Sequence, residues 1–215
     1  MRLYSYMKMY KNLTKSELNK LFNENRIKVN NKLVNISYII KDNDIVTLDD
    51  VEVKSIEFKY YLYYKPKGVL STISNKDNSY INQIDKSYKL SMAGRLDKDS
   101  YGLSILTNDG KFINDILTNP NKEKEYIVKV QKEITNEFFN LIQLPHVIRG
   151  KKTNPIKAKQ IDKYTLSLIL TDGKFHQIRT IIKLEGNYVV DLKRIRIDKY
   201  MLDDLKPNEL KEFKP

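Results

Sequence analysis

The sequence predicts a chain of two parts, each combining helices with strands. Residues 1–55 show apolar residues at helical spacing, followed by short alternating strands. Residues 60–215 are rich in strand-forming runs with helices between them, and residues 56–59 form a short charged linker without glycine or proline. A length of 215 residues suits one or two domains and leaves room for a hydrophobic core.

The elements of the first part follow from its apolar positions. Apolar residues recur at helical spacing in residues 3–10 and again in residues 18–22. Residues 26–30 alternate between polar and apolar side chains as in a strand, and the Asn-Asn pair that ends this run fits a hairpin turn. Residues 45–48 would close the module as a further strand.

The second part alternates between strand and helix patterns. Apolar and β-prone runs predict strands at residues 60–64, 102–107, 126–130, 166–170 and 188–192. Helical spacing predicts helices around residues 112–117, 138–142 and 174–184. Pro120 and Gly186 follow two of these helices, where helices commonly end.

Composition narrows the function classes. The net charge of +12 and the pI of about 9.5 favour a polyanionic partner, although drift toward lysine in an AT-rich genome would also raise the charge. Residues 1–32 carry eight Lys and Arg against two Glu, so positive charge is concentrated there. Because lysine dominates the basic residues, the few arginines, among them Arg95, Arg179 and Arg194, are candidates for roles that need a planar guanidinium.

The sequence argues against several kinds of site and segment. The chain has no cysteine and only two histidines, which argues against disulfides and against a thiolate or histidine metal site. The sequence contains no run of about 18 apolar residues, so no membrane span is predicted. The N-terminus lacks the apolar core of a signal peptide. We therefore expect a cytoplasmic protein without a metal, and the lack of a long heptad pattern favours a monomer.

The most informative motif spans residues 94–110, Gly-Arg-Leu-Asp-Lys-Asp-Ser-Tyr-Gly-Leu-Ser-Ile-Leu-Thr-Asn-Asp-Gly. It places one carboxylate, Asp97, beside Arg95 in a turn bounded by glycine. A lone aspartate in a loop is usually a cap or turn residue, but a carboxylate can also act as a nucleophile or stabilise charge. The surrounding motif makes Asp97 the leading candidate for chemistry.

Four further motifs accompany this one in order along the chain. They are Tyr-Tyr-Lys-Pro-Lys-Gly-Val at residues 63–69, Lys-Glu-Tyr-Ile-Val at residues 124–128, Thr-Asp-Gly-Lys-Phe-His-Gln-Ile-Arg at residues 171–179, and Val-Val-Asp-Leu-Lys-Arg-Ile-Arg-Ile at residues 189–197. Together with the Asp97 motif they resemble the signature of the pseudouridine synthases, in the branch that modifies ribosomal RNA and carries an N-terminal S4 domain.

The resemblance implies a set of site residues. The family's catalytic aspartate falls on Asp97, its active-site tyrosine on Tyr126, and the basic residue that pairs with the aspartate on Arg179. A neighbouring guanidinium would keep a carboxylate ionised inside a closed pocket and fix its orientation. His176, in the same motif as Arg179, is interpreted as a structural histidine. The resemblance implies an enzyme that needs no cofactor.

The resemblance also implies an α+β fold. Residues 1–55 would be an S4 RNA-binding domain, and residues 60–215 a catalytic domain with a mixed, largely antiparallel sheet flanked by helices. RNA contacts are predicted at Arg2, Lys15, Arg26, Lys28, Lys32, Lys65, Arg95, Gln177 and Arg194. The expected partner is ribosomal RNA or a ribosomal assembly intermediate, and the short chain favours the type that acts on small-subunit (16S) rRNA.

The sequence departs from the family pattern at three positions. Thr180 stands where a second basic residue is usual, Asp198 where glycine is common, and Asn208 within the changed C-terminal segment. Three alternatives stay open: a paralogue that modifies 23S rRNA, an inactive S4-domain assembly factor, and a basic DNA-binding protein with a helix-turn-helix in residues 1–25.

Overall fold

The computed structural model describes residues 1–11, 13, 15–54, 57–72, 79–80 and 90–215. The chain divides into two compact units, Met1–Glu57 and Phe58–Pro215. Residues 55–56, which include the first residue of the predicted linker, lie outside the described residues. The units have separate hydrophobic cores, so each is described by itself.

The first unit packs two helices on a small antiparallel sheet. Its elements are α1 (Leu3–Lys11), α2 (Lys15–Asn23), β1 (Ile27–Val29), β2 (Lys32–Leu33), β3 (Val46–Leu48) and β4 (Val51–Glu52). The strands lie in the order β2-β1-β3-β4, and Leu3, Met7 and Leu18 of the helices are buried with the inward residues of β1 and β3. Asn30 and Asn31 have φ of 49° and 60°, which is the left-handed conformation that a two-residue hairpin turn requires.

The second unit contains the larger sheet. The strands of this unit are β5 (Tyr60–Lys65), β6 (Ser91–Met92), β7 (Tyr101–Thr107), β8 (Lys124–Val130), β9 (Val147–Ile148), β10 (Lys151–Lys152), β11 (Lys157–Gln160), β12 (Thr165–Leu170), β13 (Val189–Ile197), β14 (Tyr200–Met201) and β15 (Leu210–Glu212). Strands β9 and β10 form a separate hairpin. The helices of the unit are α3 (Gly110–Thr118), α4 (Asn136–Leu141) and α5 (Gln177–Leu184).

Within the described residues this sheet has the order β11-β12-β8-β13-β7-β5-β15, with β14 paired to β13 and β6 to β7. The β7–β13 pair is parallel, whereas the other strand pairs of this sheet in the described part of the chain are antiparallel. The predicted α+β class and the mixed, largely antiparallel sheet are therefore confirmed. The S4 assignment of the first unit stays a prediction.

Alternation along the strands distributes the core over both faces of the sheet. On β5, Leu62 and Tyr64 belong to one buried cluster and Tyr63 to another, as expected when successive side chains point to opposite faces. The apolar residues of α5 pack with those of β8, β12 and β13, and Ile116 of α3 packs with β5 and β7. The middle of the sheet thereby becomes a rigid base for the loops at its ends.

Three local features differ from the sequence prediction. Helix α5 begins at Gln177 instead of about residue 174, because the preceding residues form a loop. Strand β13 continues to Ile197. The resemblance to the family's C-terminal segment indicated a basic loop for the second half of this stretch. The β9–β10 hairpin was not predicted, since each of its strands has only two residues.

Two departures from the family pattern have a backbone explanation. Asp198 and Asn208 have φ of 52° and 69°. Left-handed backbone is the reason for glycine at such positions, and Asp and Asn are among the other residues that tolerate it. The carboxylate of Asp198 also accepts a hydrogen bond from Nζ of Lys122 at 2.7 Å. Both substitutions are therefore compatible with tight turns at these positions.

Candidate active site

The loop between β6 and β7 carries Asp97, and the backbone on both sides of this residue is held by hydrogen bonds. The Ser71 hydroxyl accepts from the Leu96 amide at 3.1 Å and donates to the Leu96 carbonyl at 2.7 Å. The Ser100 amide donates to the carbonyl of Asp97 at 3.1 Å. These contacts fix the direction in which the Asp97 side chain leaves the loop.

The buried ammonium group of Lys65, at the end of β5, lies beneath the same loop. Its Nζ donates to the carbonyl oxygens of Pro66 and Val69 at 2.9 and 2.8 Å, and it lies 3.4 Å from the carbonyl of Lys98. One cation therefore links the turn after β5 to the residue that follows Asp97. Burial lowers the pKa of Lys65 to about 8, and the nearby charge of Arg194 lowers it as well.

This lowered pKa predicts a stability that depends on pH. Between pH 8 and 10.5 the unfolded chain binds a proton at Lys65 that the folded chain has released, so the free energy of unfolding rises with pH. The full shift corresponds to at most about 3 kcal/mol. Denaturant unfolding of the wild type and of Lys65→Met, from about pH 7.5 to 9.5, should show the difference growing in favour of the wild type. A difference that stays constant over this range would contradict the prediction.

The two carboxylate oxygens of Asp97 have different partners. Nε of Arg179, on α5, lies 3.6 Å from Oδ2, and Nε2 of His176 lies 3.1 Å from Oδ1. Arg179 is itself held, because its Nη2 donates to the hydroxyl of Ser100 at 3.1 Å. About 30% of the Asp97 side chain is exposed, so the carboxylate is restrained but open to a ligand. The structure thus brings Asp97 and Arg179 together as the motifs predict.

A cleft of about 560 Å³ opens around this carboxylate. It is lined by the Asp97 loop, by Tyr126 of β8, by the loop after β12, by the start of α5, and by β13. Tyr126 is partly exposed, and the guanidinium carbon of Arg194 lies 6.0 Å from the centre of its ring. The predicted Asp97, Tyr126 and Arg179 therefore face one cavity although they come from three separate segments.

The floor of the cleft contains two buried cations. Arg194 is 1% exposed, and its guanidinium donates to the carbonyls of Leu103 and Gly94 at 2.7 and 2.9 Å. Lys124 donates to the carbonyl of Ile116 at 3.0 Å, and burial together with the charge of Arg194 lowers its pKa. The planar fork of Arg194 thus connects β13 to β7 and to the start of the Asp97 loop.

Three of the predicted RNA contacts are wrong, because the structure buries these side chains. Lys65 and Arg194 are buried and donate to backbone carbonyls, so neither is free to bind a phosphate. Gln177 is also buried: its Nε2 donates to Asp172 at 2.7 Å and its Oε1 accepts from the Lys174 amide at 2.6 Å. All three shape the cleft from within, because a polar group enclosed in this way satisfies its hydrogen bonds inside the protein.

The other predicted RNA contacts are accessible to different degrees. Arg95 is exposed at the edge of the cleft, and Arg2, Lys15 and Lys32 are exposed on the first unit. Arg26 donates to both carboxylate oxygens of Asp49, and Lys28 pairs with Asp50. Part of the positive charge of the first unit is therefore compensated within that unit.

Two site residues were missed by the sequence prediction. His176 lies in the recognised motif but was interpreted as structural, whereas its ring reaches Asp97. Ser100, which anchors Arg179, also lies in the Asp97 motif, and its spacing of three residues from Asp97 was the available signal. Among the described residues, no group of three or more side chains could hold a metal ion, and no helix is long and apolar enough to cross a membrane.

The chain is similar in sequence and in structure to known RNA pseudouridine synthases. The sequence profile of the RNA pseudouridylate synthase family matches residues 59–183. An uncharacterised RNA pseudouridine synthase of Aquifex aeolicus is 35% identical over 99% of this chain and 92% of its own length. The ribosomal small subunit pseudouridine synthase A of Haemophilus influenzae is 30% identical over 95% of this chain and 91% of its own length. The fold also matches the crystal structure of a pseudouridylate synthase that is 29% identical in sequence. The superposition covers 100% of this chain and 96% of that chain, with a TM-score of 0.69.

Proposed function

This chain belongs to the RNA pseudouridylate synthase family, and we propose from that premise that Asp97, Tyr126 and Arg179 carry out the isomerisation of uridine in RNA. The reaction breaks the bond between uracil N1 and ribose C1′ and joins C5 to C1′. C5 loses a proton and N1 gains one, so the product is an isomer and no oxidant, reductant or energy source is consumed. A carboxylate that acts as a nucleophile or stabilises charge is sufficient for this chemistry.

The position of Asp97 carries the proposal. Its carboxylate lies on a braced loop that lines the cleft, and Nε of Arg179 lies 3.6 Å from one of its oxygens. The guanidinium supplies the opposite charge that favours the ionised carboxylate and limits its rotation. Asp97 would act on the flipped nucleotide.

Tyr126 would pack against the target uracil and take part in proton removal at C5. Its partly exposed ring forms one wall of the cleft that Asp97 enters. The uridine has to leave its stack to reach this cleft, which costs a few kcal/mol as in other enzymes that act on single bases. Exposed Arg95 at the edge of the cleft is available for the flanking phosphates.

We further propose that the substrate is ribosomal RNA, most specifically 16S rRNA, as a transcript or as part of an assembly intermediate. Two observations support this target: the likeness to a ribosomal small subunit pseudouridine synthase over almost the whole chain, and a separate first unit whose residues 1–32 carry eight Lys and Arg against two Glu. Residues 1–55 of that unit would bind RNA as an S4 domain through the exposed cations at Arg2, Lys15 and Lys32. A 23S rRNA target is the alternative.

Mapping of pseudouridine tests this target. Unmodified 16S and 23S transcripts and partly assembled subunits would each be incubated with the wild-type protein. We expect one new pseudouridine in 16S rRNA, either in the transcript or in the particle. A single site in 23S rRNA would contradict the small-subunit target and support the alternative. Tight RNA binding without any product on all substrates would contradict the catalytic proposal and favour an assembly factor.

A further inference from the structure

His176 lies beside one carboxylate oxygen of Asp97, whereas Arg179 lies nearest to the other. The distance from Nε2 to Oδ1 is 3.1 Å, whereas the guanidinium of Arg179 lies 3.6 Å from Oδ2. Of these two nitrogen partners, the imidazole is therefore the nearer one. Because the two contacts lie on different oxygens, together they restrain both the direction and the rotation of the carboxylate.

The backbone and a ring stack hold His176 in this place. The residue lies immediately before α5 with φ of 51°, a left-handed conformation that most non-glycine residues avoid and that is enriched for Asn, Asp and His. Its ring stacks on Phe175 with a centroid distance of 3.9 Å and an interplanar angle of 13°. A strained backbone of this kind persists where the surrounding structure enforces it, often at functional sites.

The stack extends one layer further. The guanidinium carbon of Arg149 lies 4.1 Å from the centre of the Phe175 ring. Arg149 occupies the two-residue turn of the β9–β10 hairpin with φ of 50°, and Gly150 follows with φ of 73°. Phe175 is 57% exposed, yet its ring contacts two planar groups, the imidazole of His176 and the guanidinium of Arg149. The column formed by Arg149, Phe175 and His176 therefore ends on the carboxylate of Asp97.

We propose that His176 is a positioning residue that holds the Asp97 carboxylate in its reactive orientation. With a proton on Nε2, the imidazole places a donor nitrogen 3.1 Å from Oδ1, while the guanidinium of Arg179 lies beside Oδ2. Reaction rates depend steeply on such placement, since a displacement of about 1 Å can cost about a hundredfold. The inference deepens the proposed function and rests on Asp97 being the reacting carboxylate.

Two amide variants separate the contact from the backbone. His176→Gln keeps an N–H donor near the position of Nε2 but is a poorer fit to left-handed backbone. His176→Asn suits that backbone but is too short to reach Asp97. Both lose the ring stack on Phe175 equally. The measurements are the single-turnover rate and KM for an RNA that the wild type modifies, with the unfolding midpoint recorded for each variant.

We expect His176→Asn to lower the single-turnover rate by about tenfold to a hundredfold with KM unchanged. His176→Gln should recover at least about threefold of that loss. The reverse order would assign His176 to the backbone turn alone, and equal losses would assign it to the ring stack; either result overturns the proposal. So does a wild-type rate in both variants, or a raised KM at an unchanged rate.

Measuring Asp97→Asn alongside the two His176 variants separates this inference from the proposed function. If the wild type forms pseudouridine and Asp97→Asn does not, the function holds whatever the His176 variants do. If Asp97→Asn stays active, the proposed role of Asp97 fails, and the positioning role of His176 is overturned with it.

Discussion

Replacing Asp97 by Asn is expected to lower the rate of pseudouridine formation by at least about a thousandfold. Asparagine has nearly the same shape but neither the charge nor the nucleophilic oxygen of the carboxylate. Because the Asp97 side chain is about 30% exposed and its loop is braced through backbone and serine contacts, the fold should persist. Affinity for RNA should also stay close to that of the wild type, since the lost charge is negative.

Asp99→Asn is the matched control for this variant. Asp99 lies in the same turn and is exposed, and both aspartates raise the pKa of Lys65 through their charge. It does not line the cleft, so its removal tests the effect of one negative charge without touching the site. The rate of Asp99→Asn should stay within about twofold of the wild type. Equal rates for Asp97→Asn and the wild type would contradict the assignment of Asp97.

Replacing Gly102 by Ala is expected to destabilise the unit Phe58–Pro215 by about 3 kcal/mol or more. A Cβ at this position would lie 2.2 Å from the carbonyl oxygen of Arg194 and 2.9 Å from its amide nitrogen. These are backbone atoms of β13, paired to Gly102 in the parallel register between β7 and β13. They cannot move away without opening the middle of the sheet, and φ of +106° adds strain for any residue with a side chain.

Gly150→Ala is the control that keeps the strain and removes the clash. Gly150 also has positive φ, +73°, but no heavy atom lies within 4 Å of an added Cβ. Its substitution should cost only about 1 kcal/mol. Denaturant unfolding of the three proteins measures the difference. A loss of stability in Gly102→Ala no larger than that in Gly150→Ala would contradict the requirement for close contact with β13.

Much of the fold was predictable because its elements have short-range signals. The Asn-Asn turn before β2 takes the left-handed angles that this pair tolerates. A β-prone run of four tyrosines and one leucine identified β5, and the motif around Asp97 indicated a loop that enters β7. The two-residue strands β9 and β10 were missed, since elements of that length leave no periodic pattern to detect.

The sequence by itself determined where the main strands and helices lie along the chain, because these depend on local periodicity. The α+β class and the candidate residues Asp97, Tyr126 and Arg179 followed from motifs of contiguous residues that resemble the family. Only the tertiary structure decided which cations are free: Lys65 and Arg194 look like surface residues along the chain but are buried against backbone carbonyls. It also decided that His176 reaches Asp97, a contact across 79 positions of the chain. Burial and such contacts depend on how distant strands pack, and no local pattern of residues encodes that packing.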